Sequence, residues 1–252
     1  MADELKEIFR VHLGVVDSTN RYARDEAHSL KASAGNAAII AVTADNQTAG
    51  RGQRGNKWLS SGGENVLLTI LVEPHFLAPV RQFALSQAIA LAVRDAMQKY
   101  GIAVLLKWPN DIYVGKGKLA GILVELDYES DYIARAIIGV GLNVNQTEFV
   151  PMERIPTSMR MLTGYDFDVN DVTNSILINF VKRYSQIVEC DSQLADEYKQ
   201  ALMGWGVSLR YKDTSGTFNA VIEDVEPDGH LLLRSDDAVL RRYAFKEIEL
   251  CL

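Results

Sequence analysis

A chain of 252 residues, 48% of them hydrophobic, suits one large domain, or one domain with a small satellite, and has enough apolar material for a buried core. Its formal charge of −7 excludes a body built for nucleic acid and leaves local basic loops to meet small anions. No apolar run of roughly eighteen residues occurs, residues 1–10 are charged where a signal peptide would be apolar, and Cys190 and Cys251 stand far apart without metal spacing; the expectation is a cytoplasmic chain with two free thiols and no membrane contact.

Residues 11–16 read as a short strand, and Asp17, Ser18, Thr19 and Asn20 offer N-cap chemistry for a helix over 20–30. Residues 37–44 form a buried-type strand that delivers the loop 46–58. That loop holds three glycines, Gly50, Gly52 and Gly55, and three cations, Arg51, Arg54 and Lys57. Glycines at this density let backbone N–H groups approach a ligand closely. A guanidinium fork clamps phosphate or carboxylate in two places, so the loop reads as one that closes over a small anion. The glycine spacing has the letters of a dinucleotide fingerprint, but a strand at 65–73 follows instead of a helix. Lys57 is followed by Trp58 rather than Ser or Thr, so the P-loop pattern fails as well.

Pro79 suits the first position of a helix running to Tyr100, with Phe83, Ile89, Val93, Met97 and Tyr100 on one stripe. Strands at 104–108, 112–114, 119–126 and 132–140, joined by turns around Pro109 and at 115–118, make an antiparallel ladder. Gly139 and Gly141 near its end would let a planar ligand lie against the backbone. Residues 148–169 connect, with at most one helical turn at 158–162, to helices at 170–189 and 192–203. After Gly204, Trp205 and Gly206 the pattern changes to short strands at 208–211, 217–225, 230–233 and 240–243, which suggest a small barrel. The fold class expected is α+β: a mixed, largely antiparallel sheet with helices packed on it over 1–204, and a small β-barrel over 205–252.

Five blocks in this order closely resemble the catalytic domain of biotin protein ligases: Asp17-Ser18-Thr19-Asn20, the glycine-arginine loop, Lys107-Trp108-Pro109-Asn110-Asp111, Gly117-Lys118-Leu119-Ala120-Gly121, and Gly139-Val140-Gly141-Leu142-Asn143. The resemblance runs from about residue 11 to the C-terminus. It implies a class II aminoacyl-tRNA synthetase-like catalytic domain followed by an SH3-like barrel. The implied activity is ATP-dependent transfer of biotin, through biotinyl-5′-AMP, to a lysine of a biotin carboxyl carrier domain, with Mg²⁺ assisting. A lipoate–protein ligase or related acyl transferase is the alternative. Only about ten residues precede the first strand, so the expectation is a ligase without a helix-turn-helix DNA-binding domain, acting as monomer or homodimer.

By the same resemblance Ser18, Thr19, Asn20, Gln47, Gly50, Arg51, Lys118 and Gly121 bind biotin. Arg51, Gly52, Gln53, Arg54, Lys57, Trp58, Asp111, Lys118 and Asn143 meet ATP. Arg51 and Lys118 are the catalytic pair, and Asp111 is the candidate for the magnesium environment. Gln53 departs from the pattern, since some family members carry an arginine there and glutamine supplies no charge.

Overall fold

The computed structural model describes residues 8–151, 154–190 and 192–251, with residue 54 described by its backbone alone. One seven-stranded sheet carries most of the chain. Its strands are β1 (Ile8–Val16), β2 (Ile39–Gln47), β3 (Asn65–Val72), β4 (Leu105–Lys107), β5 (Asp111–Val114), β6 (Gly117–Glu129) and β7 (Tyr132–Asn143), in the spatial order β1-β2-β3-β7-β6-β5-β4. The β1–β2 pair is parallel and every other pair is antiparallel, so the mixed, mainly antiparallel sheet expected is the one found.

Helices cover both faces. Ala23, Ala27 and Leu30 from α1 (Thr19–Asp25) and α2 (Ala27–Ala34) pack on Ile40, Val42, Leu71 and Ile137. On the other face α3 (Phe83–Lys99) and α5 (Val169–Val188) bury Ile89, Val93, Ile176 and Phe180 against Leu68, Ile70, Ile138 and Val140. Residues 68 and 70 therefore face one layer and residue 71 the other, as the two-residue period of a strand requires. Burial on both faces explains why β3 is apolar almost without interruption and has no exposed residue.

The expected helix over 20–30 is two helices that meet at Glu26. Ser18 is in the N-cap position but its hydroxyl makes no cap bond; the N–H of Thr19 donates instead to Gln47 Oε1, 2.7 Å away. Pro79 opens a single 3-10 turn, Pro79–Arg81, and α3 begins at Phe83. Helix α5 starts at Val169 because Asp168 accepts from the N–H groups of Asn170 and Asp171. The one-turn segment expected at 158–162 is α4 (Met159–Thr163), capped by the Ser158 hydroxyl, and the last helix is α6 (Gln193–Gln200).

The C-terminal strands β8 (Leu209–Asp213), β9 (Gly216–Val225), β10 (Leu231–Ser235), β11 (Leu240–Tyr243) and β12 (Glu249–Leu250) form a five-stranded antiparallel sheet, with β11 and β12 at its two ends. Its buried residues, among them Tyr211, Ile222, Leu231 and Leu233, join the same core cluster as Tyr198 and Leu202. No helix among the described residues is long and apolar enough to cross a membrane.

Candidate active site

A cleft of about 400 Å³ opens between the α1 face of the large sheet and the C-terminal sheet. Its first wall is polar and already organised. Ser18, Thr19 and Asn20 are each under 5% exposed. The hydroxyl of Thr69, on β3, donates to Asn20 Oδ1 at 2.6 Å and lies 2.8 Å from the Thr19 hydroxyl. Asn20 Nδ2 donates to Glu125 Oε2 at 3.0 Å, and Gln47, the last residue of β2, receives the Thr19 N–H. Buried polar groups are tolerated when each finds a partner, and here the partners come from β2, β3 and β6, so the wall is rigid.

The glycine-arginine loop hangs over this wall. The N–H of Trp58 donates to the Gly50 carbonyl at 3.0 Å, and that of Gly52 to the Asn56 carbonyl at 2.7 Å, so the loop doubles back on itself. A Cβ at residue 50 would sit 2.4 Å from the Trp58 carbonyl oxygen, which explains the glycine there. The Arg51 guanidinium stands 3.3 Å from Glu125. Trp58 lays its indole on β7 and β6: a Cβ at residue 141 would come within 2.4 Å of the ring, and one at residue 121 within 3.1 Å. A Cβ at residue 139 would strike the Asn20 amide at 2.3 Å. The glycines at the end of the ladder thus make room for Trp58 and Asn20. The indole Nε1 is buried without a hydrogen-bond partner.

The opposite wall is built from the Lys107–Asp111 block. A cis Trp108–Pro109 bond turns the chain, Trp108 Nε1 donates to the Gly229 carbonyl at 3.0 Å, and Asn110 exchanges hydrogen bonds with the backbone of Ile122. These contacts fix Asp111, which is 5% exposed. Lys118 reaches it because of a β-bulge. Asp111 pairs with Gly121 but Tyr113 pairs with Lys118, so one extra residue lies on β6. Strict alternation from Gly121 would put residue 119 on the face of Asp111; the bulge turns Lys118 there and leaves Leu119 in the core. The Lys118 ammonium bonds Asp111 Oδ1 at 2.7 Å and stands 5.7 Å over the Trp58 ring. Arg154 bonds Asp111 Oδ2.

The field in this corner is legible in its neighbours. Burial first, and the Asp111 carboxylate second, push the Tyr113 hydroxyl up to about 12. Burial, then the positive charge of Arg154, lower the pKa of Lys107, with Asp111 and Glu249 acting against them and Lys118 with them. A group of cations around one buried carboxylate is poised to take an anion.

The cleft brings together Ser18, Thr19, Asn20, Gln47, Arg51, Gly52, Gln53, Lys57, Trp58, Asp111, Lys118 and Gly121. Gly50 and Asn143 lie outside its lining. Gly50 closes the loop, and the Asn143 amide, buried at 4% exposure, donates to the Thr157 carbonyl at 2.9 Å. The Arg54 side chain lies outside the described residues. Sequence reading missed Thr69, Glu125, Lys107 and Arg154. Glu125 had a signal, as the one charge within the apolar strand expected at 119–126, and Lys107 opens a block already singled out; Thr69 and Arg154 had none.

Residues 13–143 match the model of the biotin/lipoate A/B protein ligase family. The chain is 33% identical over 214 residues to the bifunctional ligase/repressor BirA of Bacillus subtilis, covering 83% of this chain and 65% of that protein, so it spans slightly less than two thirds of that relative's length. It is 32% identical over 203 residues to the biotin–[acetyl-CoA-carboxylase] ligase of Mycobacterium tuberculosis, covering 77% of this chain and 73% of that one. The biotin protein ligase of Aquifex aeolicus, solved in complex with biotin and ATP, superposes with a TM-score of 0.77 at 25% identity, over 96% of this chain and 98% of that one. With over half its length matched by the family model, and a fold shared with a solved biotin protein ligase, the chain belongs to the biotin/lipoate A/B protein ligase family.

Proposed function

We propose that this protein attaches biotin to a specific lysine of a biotin carboxyl carrier domain, in two steps. In the first, a biotin carboxylate oxygen bonds to the α-phosphorus of ATP, the bond to the β-phosphate oxygen breaks, and pyrophosphate leaves. In the second, the acceptor amine bonds to the carbonyl carbon of biotinyl-5′-AMP, AMP leaves, and the amine's proton passes to solvent. The observation that carries this reading is the convergence of Arg51 and Lys118 on one cleft beside a polar wall. Two anions must meet in the first step, and fixed cations offset both their repulsion and the charge that develops between them. No nucleophilic side chain is needed, because the substrate carboxylate attacks; positioning supplies the rest.

Ser18, Thr19, Asn20 and Gln47 suit the ureido ring of biotin, which offers donors and an acceptor to hydroxyl and amide groups. A dithiolane has neither, which favours biotin over lipoate here. Gly52, Gln53, Lys57, Trp58 and Asp111 would face the nucleotide. For Mg²⁺ the fit is poor as a site built by protein alone: both oxygens of Asp111 are in ion pairs. A second group of possible ligands, Glu226, Asp228 and His230 in the turn between β9 and β10, is filled by Arg242, which bonds Glu226 at 2.5 Å and Asp228 at 2.7 Å. The C-terminal segment, over 205–252, is read as the SH3-like domain and 1–204 as the catalytic one; the positive φ of Gly204 and Gly206 is compatible with a junction there.

The test is biotin-dependent release of pyrophosphate from ATP, alongside thermal shifts with biotin and with lipoate. Release with biotin, and stabilisation by biotin alone, support the assignment. Stabilisation by lipoate and not by biotin would transfer it to the lipoate branch of the family.

A further inference from the structure

The connection after β7 delivers an arginine to the cleft by a route that is built, not incidental. The N–H of Lys118 donates to the Ile155 carbonyl at 2.8 Å, and the N–H of Thr157 donates to the Lys118 carbonyl at 3.0 Å. Asn143 holds the Thr157 carbonyl from the other side. A Cβ at residue 117 would lie 2.8 Å from the Thr157 side chain, so only glycine admits the segment here. Residues 154–157 are thereby clamped to the backbone of Lys118 itself, and Arg154 emerges beside the Lys118 ammonium.

We propose that Arg154 is a third cation of the anion site and contacts the triphosphate of the nucleotide alongside Arg51 and Lys118, a proposal that rests on the ATP-dependent reading above. Asp111, 5% exposed, holds one cation on each oxygen: Lys118 on Oδ1 and Arg154 on Oδ2. With Lys107 beside them, three cations face the buried carboxylate of Asp111 and the exposed one of Glu249, and the remaining positive charge is open to an anion. The Arg154 side chain is half exposed while its partner is buried, so the ion pair runs through Nη1 and the guanidinium stays open to the cleft that it lines. Across the cleft the glycine-arginine loop contributes Arg51 and Lys57 but a neutral Gln53. A guanidinium beside Lys118 gives a polyphosphate a planar fork, a second one besides that of Arg51, while Gln53 offers only an amide. Asp111 on this account is the holder that keeps both cations in place before the nucleotide arrives.

A purely structural arginine would serve only to neutralise Asp111, and the two roles separate in kinetics. In the full-length protein, R154Q should raise the KM for ATP in biotin-dependent pyrophosphate release by roughly 10- to 100-fold, the worth of one charge-assisted hydrogen bond, with the KM for biotin unchanged. R154K should recover part of the loss. An unchanged KM for ATP would overturn the proposal, as would equal rises in both KM values accompanied by loss of thermal stability in both variants. Inorganic tripolyphosphate gives a readout free of the reaction: it should raise the thermal midpoint of the wild type and not of R154Q, and equal shifts would contradict the assignment. A wild type that shows the tripolyphosphate shift but releases no pyrophosphate with biotin and ATP would refute the ligase reading and leave the anion site standing.

Discussion

Lys118 and Arg51 face the same cleft from opposite sides and are held in opposite ways. Lys118 is 21% exposed and bonds, at 2.7 Å, a carboxylate that is itself 5% exposed. It stands on a sheet ladder, at a bulge that fixes its direction, with a second strand-like segment bonded to its backbone. Arg51 is 47% exposed, lies 3.3 Å from a carboxylate that is 18% exposed, and rides on a loop tied by a few backbone bonds to itself. The contrast separates two tasks. A cation fixed before substrate arrives costs no reorganisation when charge develops, which is what the proposed reaction would ask of Lys118. A cation on a loop can close over a ligand and shield it from water, which is what it would ask of Arg51.

Removing the fixed cation should do the greater harm. Lys118→Ala is expected to lower adenylate formation by about 10³-fold or more, and Arg51→Ala by about 10²-fold, judged from single stabilising donors in other active sites. Far-UV circular dichroism and the thermal midpoint should stay near wild type in both, since Asp111 keeps Arg154 and Glu125 keeps Asn20. Equal rates in the two variants would erase the distinction, and wild-type turnover in either would remove that residue from the reaction.

The glycine shelf offers a second way in. Gly141→Ala would drive a methyl group into the Trp58 indole, which an overpacked site resolves by strain or displacement at about 1–3 kcal/mol. Urea unfolding measures the cost, and a red shift of tryptophan emission would report that the ring has left its place. The two carboxylates give a smaller difference. Asp111→Asn should cost about 1–2 kcal/mol, less than the 3–5 of a fully buried pair because Arg154 is half exposed. Glu125→Gln should cost under about 1 kcal/mol, as the Arg51 pair is close to solvent.

The smallest effect concerns pH. The Lys107 ammonium is disfavoured in the folded chain by burial and then by Arg154. The unfolded chain therefore binds that proton more tightly. Stability falls as the pH drops from above the ordinary lysine value toward the lowered one, and the penalty is complete at neutral pH. Lys107→Met should raise the melting temperature at pH 7, and the gain should shrink as the pH climbs past the unfolded lysine range near ~10.4. A gain that persists there would assign it to packing instead of charge.

The periodic parts of the chain were legible without coordinates. The apolar run of β3 and the long β6–β7 hairpin announce themselves, because burial on a sheet leaves a local pattern. The break at Glu26 and the bare N-cap at Ser18 were not legible, since the oxygen that takes the Thr19 N–H comes from Gln47, on another strand. Gly139 and Gly141 suggest a place for a planar ligand against the backbone, but what lies against them is Asn20 and Trp58, and distant partners leave no mark on local spacing. Arg51 and Lys118, which both line the cleft, are singled out by motif blocks. Arg154 was invisible because it lies in an aperiodic connection and acquires its place only through the backbone of Lys118. Where a small barrel is expected at the C-terminus, the structure has a sheet of five antiparallel strands, with β11 and β12 at its ends, whose buried side chains join the core of the larger sheet; short alternating strands are compatible with either form.

The central claim is that one cleft activates biotin and hands it to a protein lysine. The most direct measurement is the intact mass of a purified biotin carboxyl carrier domain after incubation with this protein, biotin and ATP. The account predicts a single biotin-sized increment on the acceptor that requires ATP and is lost with Lys118→Ala. An acceptor that stays at its original mass, in a sample that binds biotin yet releases no pyrophosphate, would contradict it.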